Sequence, residues 1–216
     1  MSRRDQLPPP PPPEGSRAWP HRYALLADRA RALEELHRRS IGVSVLAGLW
    51  ALAGGFAAGW VLFAVALRVY VEGVDPLSVL FAGVLAVLGV GFMVPTGLLI
   101  GFGLARDGRV RRRLRAWSAL DADPPRDAAY VTPGLGLTWL LPSFVLCACG
   151  LWLSFVVPAT ARRGEDTLPG VVLLMGLGAI AWLTGLIGTA KAVAHYRWAL
   201  RLLPRAVRPD AAAPGH

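Results

Sequence analysis

Four long stretches of the chain are almost entirely apolar. They cover residues 41–67, 77–105, 128–161 and 167–190, and none of them contains Asp, Glu, Lys or Arg. Each exceeds the ~20 apolar residues that cross a hydrocarbon core about 30 Å thick, so each predicts a transmembrane helix. Helices buried in a soluble core would carry polar residues at helical spacing, and these stretches do not. The pattern predicts an all-α integral membrane protein, a four-helix transmembrane bundle.

The polar segments between these stretches divide the chain into five parts. Residues 1–40 form an amino-terminal segment, 41–105 a first transmembrane hairpin, 106–133 a basic loop, 134–190 a second hairpin and 191–216 a basic tail. In the turn within the first hairpin, Asp75 is placed to cap the helix that begins with Pro76.

Three of the polar parts predict short amphipathic helices. Residues 21–40 form a helix that either lies on the cytoplasmic face or continues into the first span. In the loop and the tail, apolar residues share one side of a basic helix, a pattern typical of helices resting on anionic lipid. These apolar residues are Val110, Leu114 and Trp117 in the loop and Tyr196, Leu200 and Leu203 in the tail.

The amino-terminal segment also contains LPPPPPPE at residues 7–14. Consecutive prolines adopt the polyproline II conformation, which is stiff and extended. We interpret this stretch as a spacer, and the alternative is a ligand for a proline-reading domain.

Basic residues are distributed unevenly among the polar parts. Only Arg68, Arg162 and Arg163, of 23 Lys and Arg residues, lie in the two turns within the hairpins. Because basic residues concentrate in cytoplasmic loops, we expect a multi-pass plasma-membrane protein with both termini cytoplasmic. The first span then acts as an uncleaved anchor, since no short apolar core with a cleavage site precedes it.

The net charge of +9 is explained by this topology and by attraction to anionic lipid headgroups, so we expect no nucleic-acid partner. Arginine outnumbers lysine by 22 to 1 beside much Ala, Gly and Pro, which is typical of a GC-rich genome and suggests a bacterial plasma membrane.

Small residues recur at four-residue steps within the spans. Such small-xxx-small stripes let two helices approach closely, so they predict helix contacts within one bundle or between copies of the chain. The helix-packing residues that we predict are Ala47, Ala51, Gly55, Gly59, Gly97, Gly101 and Gly185.

Two prolines interrupt the second and third spans at a similar expected depth. Pro95 and Pro142 each leave the carbonyl four residues earlier without its helical donor, and each predicts a helix kink. The two kinks either open a binding recess or only adapt the helices to their neighbours, and we favour packing because the nearby polar groups are few. The hydroxyls of Thr96, Thr138, Ser143 and Ser154 are the expected partners of the released carbonyls. Alanine at Thr96 and Ser143 should lower stability without abolishing transport.

The sequence contains no motif that indicates catalysis, a cofactor or a metal. Cys147 and Cys149 lie two positions apart on one helix and cannot converge on a ligand, so we interpret them as small buried residues. The favoured function is a non-enzymatic structural or accessory membrane component, with a protein partner or a homo-oligomer. The alternative is a small transporter or channel subunit, and a membrane-embedded enzyme is the third hypothesis.

Overall fold

The computed structural model describes residues 7–12, 19–121, 123, 126–127, 133–162 and 168–206. Its long helices are α1 (Arg22–Ile41), α2 (Val43–Glu72), α3 (Pro76–Ser118), α4 (Pro133–Thr160) and α5 (Leu168–Ala206). No β-strand occurs in this part of the chain. Four helical stretches within it are long and apolar enough to cross a membrane. The predicted all-α fold with four membrane helices is confirmed.

The α1 helix does not continue into the first span. It ends at Gly42, whose backbone is extended and whose N–H donates to the carbonyl oxygen of Arg38 at 3.1 Å. A Cβ atom at Gly42 would lie 2.6 Å from that oxygen, so glycine suits this break. The α2 helix begins at the next residue, Val43.

The amino-terminal end of α3 is capped by Asp75, as the sequence predicts. The Ser78 N–H donates to Asp75 Oδ2 at 3.0 Å, and the Ser78 hydroxyl donates to Oδ1 at 2.5 Å. These hydrogen bonds stabilise the carboxylate and hold the pKa of Asp75 below its ordinary value of 3.8. Pro76 occupies the first helical position, where its missing N–H costs nothing.

The chain folds into two compact units. One, here the membrane unit, comprises Leu46–Leu104 and Trp139–Ala190. The other, here the basic unit, comprises Met1–Val45, Ala105–Thr138 and Lys191–His216. The membrane unit therefore takes in the apolar parts of α2 to α5, whereas the basic unit takes in α1 and the charged ends of α3 and α5.

The membrane unit exposes large apolar side chains along much of its surface. In α3, for example, Phe81, Val87 and Leu98 are more than half exposed, while Ala82 and Gly89 are among the few buried residues. Soluble monomers rarely expose a contiguous apolar surface of this extent. Contact with lipid accounts for it.

The basic unit has its own hydrophobic core. Leu33 and Leu36 of α1 are fully buried, and they pack in one cluster with Val110, Leu114 and Trp117 of α3. The prediction that the apolar side of residues 110–117 rests on lipid is therefore wrong, because protein covers it. These residues also do not form a separate helix, since α3 continues without interruption to Ser118.

In the carboxyl-terminal part of α5, the residues buried in the protein are not the apolar residues Tyr196 and Leu200 that the sequence placed on one side of the helix. Its buried residues within the basic unit are Ala192, His195 and Ala199, whereas Tyr196 and Leu200 are exposed. The side chain of Leu203 lies outside the described residues, as do residues 128–132, with which the predicted third span begins. Contact of Tyr196 and Leu200 with lipid stays a prediction.

Candidate functional site

The α2 and α3 helices approach each other closely at Gly59 and Gly89. A Cβ atom built on Gly59 would lie 2.7 Å from the Gly89 carbonyl oxygen, and one built on Gly89 would lie 2.7 Å from the Gly59 carbonyl oxygen. Because these neighbours are backbone atoms, they cannot move aside without shifting a helix. The two glycines thus allow direct backbone contact, as small residues do in membrane helices.

The α4 and α5 helices make a second contact of the same kind. A Cβ atom on Gly185 would lie 2.6 Å from the Ser143 carbonyl oxygen, and one on Gly150 would lie 2.6 Å from the Gly178 carbonyl oxygen. The Ser143 hydroxyl occupies the space beside Gly188, where a Cβ atom would collide with it.

The other predicted packing residues have varied surroundings. A Cβ atom on Gly55 would meet the Thr96 methyl group at 3.0 Å, and one on Gly97 would meet the Phe56 ring at 3.3 Å. In contrast, open space surrounds Gly101. The remaining two, Ala47 and Ala51, are exposed.

The membrane helices continue through both predicted kink positions. Pro95 lies inside α3 and Pro142 inside α4, which also contains Pro158. The Thr96 hydroxyl donates to the carbonyl oxygens of Phe92 at 2.6 Å and Met93 at 3.2 Å, one turn back along its own helix. It therefore does not bond the Gly91 carbonyl that Pro95 releases.

Ser143 also departs from its expected role. Its side chain is only 1% exposed, and its hydroxyl has no hydrogen-bond partner among the described residues. The predicted bond to the carbonyl of Thr138, released by Pro142, is therefore wrong. Of the two cysteines, Cys147 is half-buried beside Gly185, whereas Cys149 is exposed, so the prediction of burial is wrong for Cys149.

The basic unit contains a buried ion pair that joins α1 to the segment after α3. Two guanidinium nitrogens of Arg29 donate to the two carboxylate oxygens of Asp127 at 2.8 and 3.0 Å. Both side chains are almost fully buried, and the Asp123 N–H also donates to Asp127 at 3.3 Å. The sequence contains no local signal for this pair.

A group of aromatic and charged side chains lies between α1, α3 and α5 in the same unit. The ring centroids of His37 and His195 are 5.1 Å apart, and Trp198 lies 5.5 Å from His195. One turn before His195, Lys191 forms an ion pair with Asp107. The contact between the histidine rings joins α1 to α5, and the ion pair joins the charged ends of α3 and α5.

A small basic cavity of about 50 Å³ lies beside this group and is large enough for a few water molecules. Its polar lining combines several cationic groups with one hydroxyl and one imidazole. These lining residues are Arg111, Arg115, Lys191, Ser40 and His195.

Many arginines of the basic unit have no acidic partner among the described residues. They are Arg106, Arg109, Arg111, Arg112 and Arg115 on α3, and Arg197 and Arg201 on α5. The arginines of α1, in contrast, are mostly paired, for example Arg31 with Asp28 and Arg38 with Glu35. Unpaired guanidinium groups on adjacent turns are suited to bind phosphate or another anion.

The described residues contain no group of three or more His, Cys, Asp or Glu side chains that could hold a metal ion. The unpaired arginines of the basic unit have the chemistry that suits an anion.

Comparisons with protein-family models, with curated proteins and with solved structures found no match to this chain.

Proposed function

We propose that this protein is a non-enzymatic structural or accessory component of the plasma membrane, whose basic unit binds anionic lipid headgroups on the cytoplasmic side. The observation that carries the proposal is the row of arginines on α3 without an acidic partner among the described residues, namely Arg106, Arg109, Arg111, Arg112 and Arg115. In a folded unit with its own core, these charges are held in place and are available to an external anion.

The magnitude of the attraction supports a role in lipid binding. Each Lys or Arg near an anionic membrane surface contributes about 1 kcal/mol, and salt weakens this contribution. Arg111 and Arg115 are the strongest candidates, because they line the basic cavity together with Lys191. A phosphate there meets fixed guanidinium donors, which bind phosphate with bidentate geometry.

Lipid binding can be measured by energy transfer from tryptophan to a dansyl-labelled lipid in neutral detergent micelles. Trp198 lines the cavity and serves as a nearby donor. We expect labelled phosphatidylglycerol to bind more tightly than labelled phosphatidylcholine, and added salt to reduce the difference. Replacing Arg111 and Arg115 with Gln should remove about 2 kcal/mol, roughly 30-fold in affinity.

The matched control replaces two arginines of α1 that already have acidic partners. Arg31→Gln combined with Arg38→Gln removes the same formal charge, but these groups pair with Asp28 and Glu35. We expect a much smaller loss of lipid affinity in this control. Equal losses in the two double variants would show that only net charge matters, and equal binding of the two lipids would refute the proposal.

The accessory role is a separate part of the proposal. Crosslinking in the native membrane, followed by native mass spectrometry in a mild detergent, should identify a companion protein in fixed ratio or a defined homo-oligomer. A coupled ion or solute flux in proteoliposomes would instead favour the alternative function, a small transporter or channel subunit.

A further inference from the structure

The proline-rich segment at residues 7–12 makes specific contacts with the basic unit. Proline fixes its own φ angle and restricts the residue before it, so consecutive prolines stay extended. Prolines lack N–H donors, and the carbonyl oxygens of this segment are free to accept hydrogen bonds from other groups. The segment thus offers a rigid row of acceptors rather than a flexible chain.

Two side chains of α3 donate to these carbonyls. The Trp117 indole N–H donates to the carbonyl oxygen of Pro9 at 3.0 Å. The Arg113 guanidinium donates to the carbonyl oxygen of Leu7 at 2.9 Å and also to that of Pro8. Three successive carbonyls, from Leu7 to Pro9, are therefore bound, so the segment is not the free spacer that we expected from the sequence.

The surface beneath the segment combines tryptophan with fixed polar groups. Trp19 and Trp117 line a groove together with Pro8, Pro9, Pro10 and Pro12. The Trp19 indole donates to Asp28 at 3.1 Å, which fixes the ring at the edge of the groove. Leu7 and Trp19 also pack against the core that contains Trp117.

We propose that Arg113, Trp117 and Trp19 form a polyproline-binding site, and that residues 7–12 are its resident ligand. Aromatic grooves recognise polyproline II segments because the ligand is already ordered and its carbonyls point outward at regular intervals. Trp117, whose indole donates to a proline carbonyl and whose ring lines the same groove as four prolines, is suited to this task. The site selects a short run of prolines, and its occupant is the segment of its own chain.

Occupancy by the attached segment limits access for other ligands. A segment tethered by a short linker has an effective concentration of about millimolar, so an external ligand of similar intrinsic affinity must compete with it. Weak proline-rich ligands therefore cannot displace the segment. Ligands that bind more tightly, or that are themselves tethered nearby, can displace it. Removal of the resident prolines should expose it.

The test uses the full chain in detergent with residues 8–12 replaced by Ser, here called the vacated chain. A fluorescein-labelled peptide with the sequence of residues 7–14, LPPPPPPE, is titrated, and fluorescence anisotropy reports its binding. We expect saturable binding to the vacated chain and at least 10-fold weaker binding to the native chain. A peptide in which Ser replaces each proline should not bind.

Variants of the vacated chain test the residues of the site. Arg113→Gln should weaken peptide binding at least 5-fold, because it removes the donor to two carbonyls. The matched control is Arg112→Gln, which removes the same charge from an exposed arginine on the adjacent position of α3. Peptide binding that is absent from the vacated chain, or equal in the two arginine variants, would overturn the proposal.

A second measurement examines the native contact without added peptide. In a chain labelled with ¹⁵N at the tryptophan indoles, the Trp117 signal is assigned by its loss in Trp117→Phe. This signal should shift between the native and vacated chains, whereas that of Trp60, which donates to the carbonyl of Leu173, should not. A Trp117 signal that stays unchanged would show that the segment does not occupy the site.

Two tagged versions of the native chain distinguish the sources of the ligand. Concentration-dependent copurification that is lost with the vacated chain indicates exchange of the segment between copies, and its absence indicates binding within one chain. We expect no such copurification, because the segment binds within its own chain, and exchange between copies would overturn this assignment of the occupant.

Discussion

Arg29 and Asp127 lie 98 residues apart in the sequence and meet in a buried ion pair. Two hydrogen bonds of 2.8 and 3.0 Å join the guanidinium to the carboxylate, and both side chains are almost completely shielded from water. The geometry is that of a bidentate pair, which gives directional as well as electrostatic attraction. This pair ties α1 to the segment that follows α3.

Removing one partner should destabilise the basic unit. Asp127→Ala leaves the Arg29 charge buried without compensation, and breaking a buried pair in this way costs about 3–5 kcal/mol. Urea unfolding in detergent, followed by tryptophan fluorescence, measures the change. The double variant Arg29→Leu with Asp127→Leu removes both charges, so it should recover much of the lost stability.

The control for this experiment is an exposed ion pair in the same unit. Arg22 and Asp121 form a pair in which the side chains are 70% and 44% exposed. Asp121→Ala should therefore cost at most about 1 kcal/mol. A loss for Asp121→Ala as large as that for Asp127→Ala would contradict the role assigned to burial.

The contact between Gly59 and Gly89 gives a second prediction. Gly59→Ala places a methyl group against backbone atoms of Gly89 and Met93, so α2 and α3 must separate. Overpacking of this kind costs about 1–3 kcal/mol, which should appear as a lower thermal midpoint in detergent.

Gly101 provides the matched control for Gly59. It occupies the same kind of small-residue stripe, but a methyl group there meets open space. Gly101→Ala should leave the thermal midpoint unchanged or raise it, because alanine favours the helix by about 0.5–1 kcal/mol. A fall in the midpoint for Gly101→Ala would indicate a contact with a second copy of the chain or with another protein.

Ser143 and Thr96 should respond differently to alanine. The Thr96 hydroxyl has two carbonyl partners, so Thr96→Ala should lower stability by about 0.5–1.5 kcal/mol. The buried Ser143 hydroxyl has no partner among the described residues, so Ser143→Ala should leave stability unchanged or raise it. Equal destabilisation by the two variants, measured by urea unfolding, would instead support the original expectation from the sequence.

The membrane helices could be predicted from the sequence because the bilayer imposes a simple requirement. A span needs a long run of apolar residues, and each of the four such runs in this chain overlaps one of the four long apolar helices of the structure. The Asp75 cap could also be predicted from the sequence, since capping depends on residues within one turn. These features depend on local sequence alone.

The partners of the apolar and small residues could not be predicted in the same way. Helical spacing places Val110, Leu114 and Trp117 on one side, but both lipid and protein satisfy an apolar side, and here protein covers it. Likewise, Gly59 and Gly101 belong to similar stripes, yet only Gly59 meets a neighbouring backbone. Whether a residue contacts protein depends on the element that packs against it, and that element comes from another part of the chain.

Charge pairing shows the same dependence even within one helix. The spacing of α1 predicts pairs of Arg31 with Glu35 and of Glu34 with Arg38, because residues four apart are adjacent on a helix. In the structure Arg31 pairs with Asp28, while Glu35 pairs with Arg38 and Arg39. Several partners lie within reach of each side chain, so spacing alone does not choose between them.

The cap of α3 predicts a pH-dependent contribution to stability. Hydrogen bonds from Ser78 lower the pKa of Asp75 in the folded state, so the carboxylate contributes stability above pH 3.8 that is lost as the pH falls through the lower folded-state pKa. Asp75→Ala should therefore reduce the thermal midpoint at pH 7, and the difference from the native chain should shrink near pH 3. Asp75→Asn keeps an acceptor oxygen and should stay close to the native chain at pH 7. A difference for Asp75→Ala that is constant from pH 7 to pH 3 would show that the ionised carboxylate does not stabilise α3.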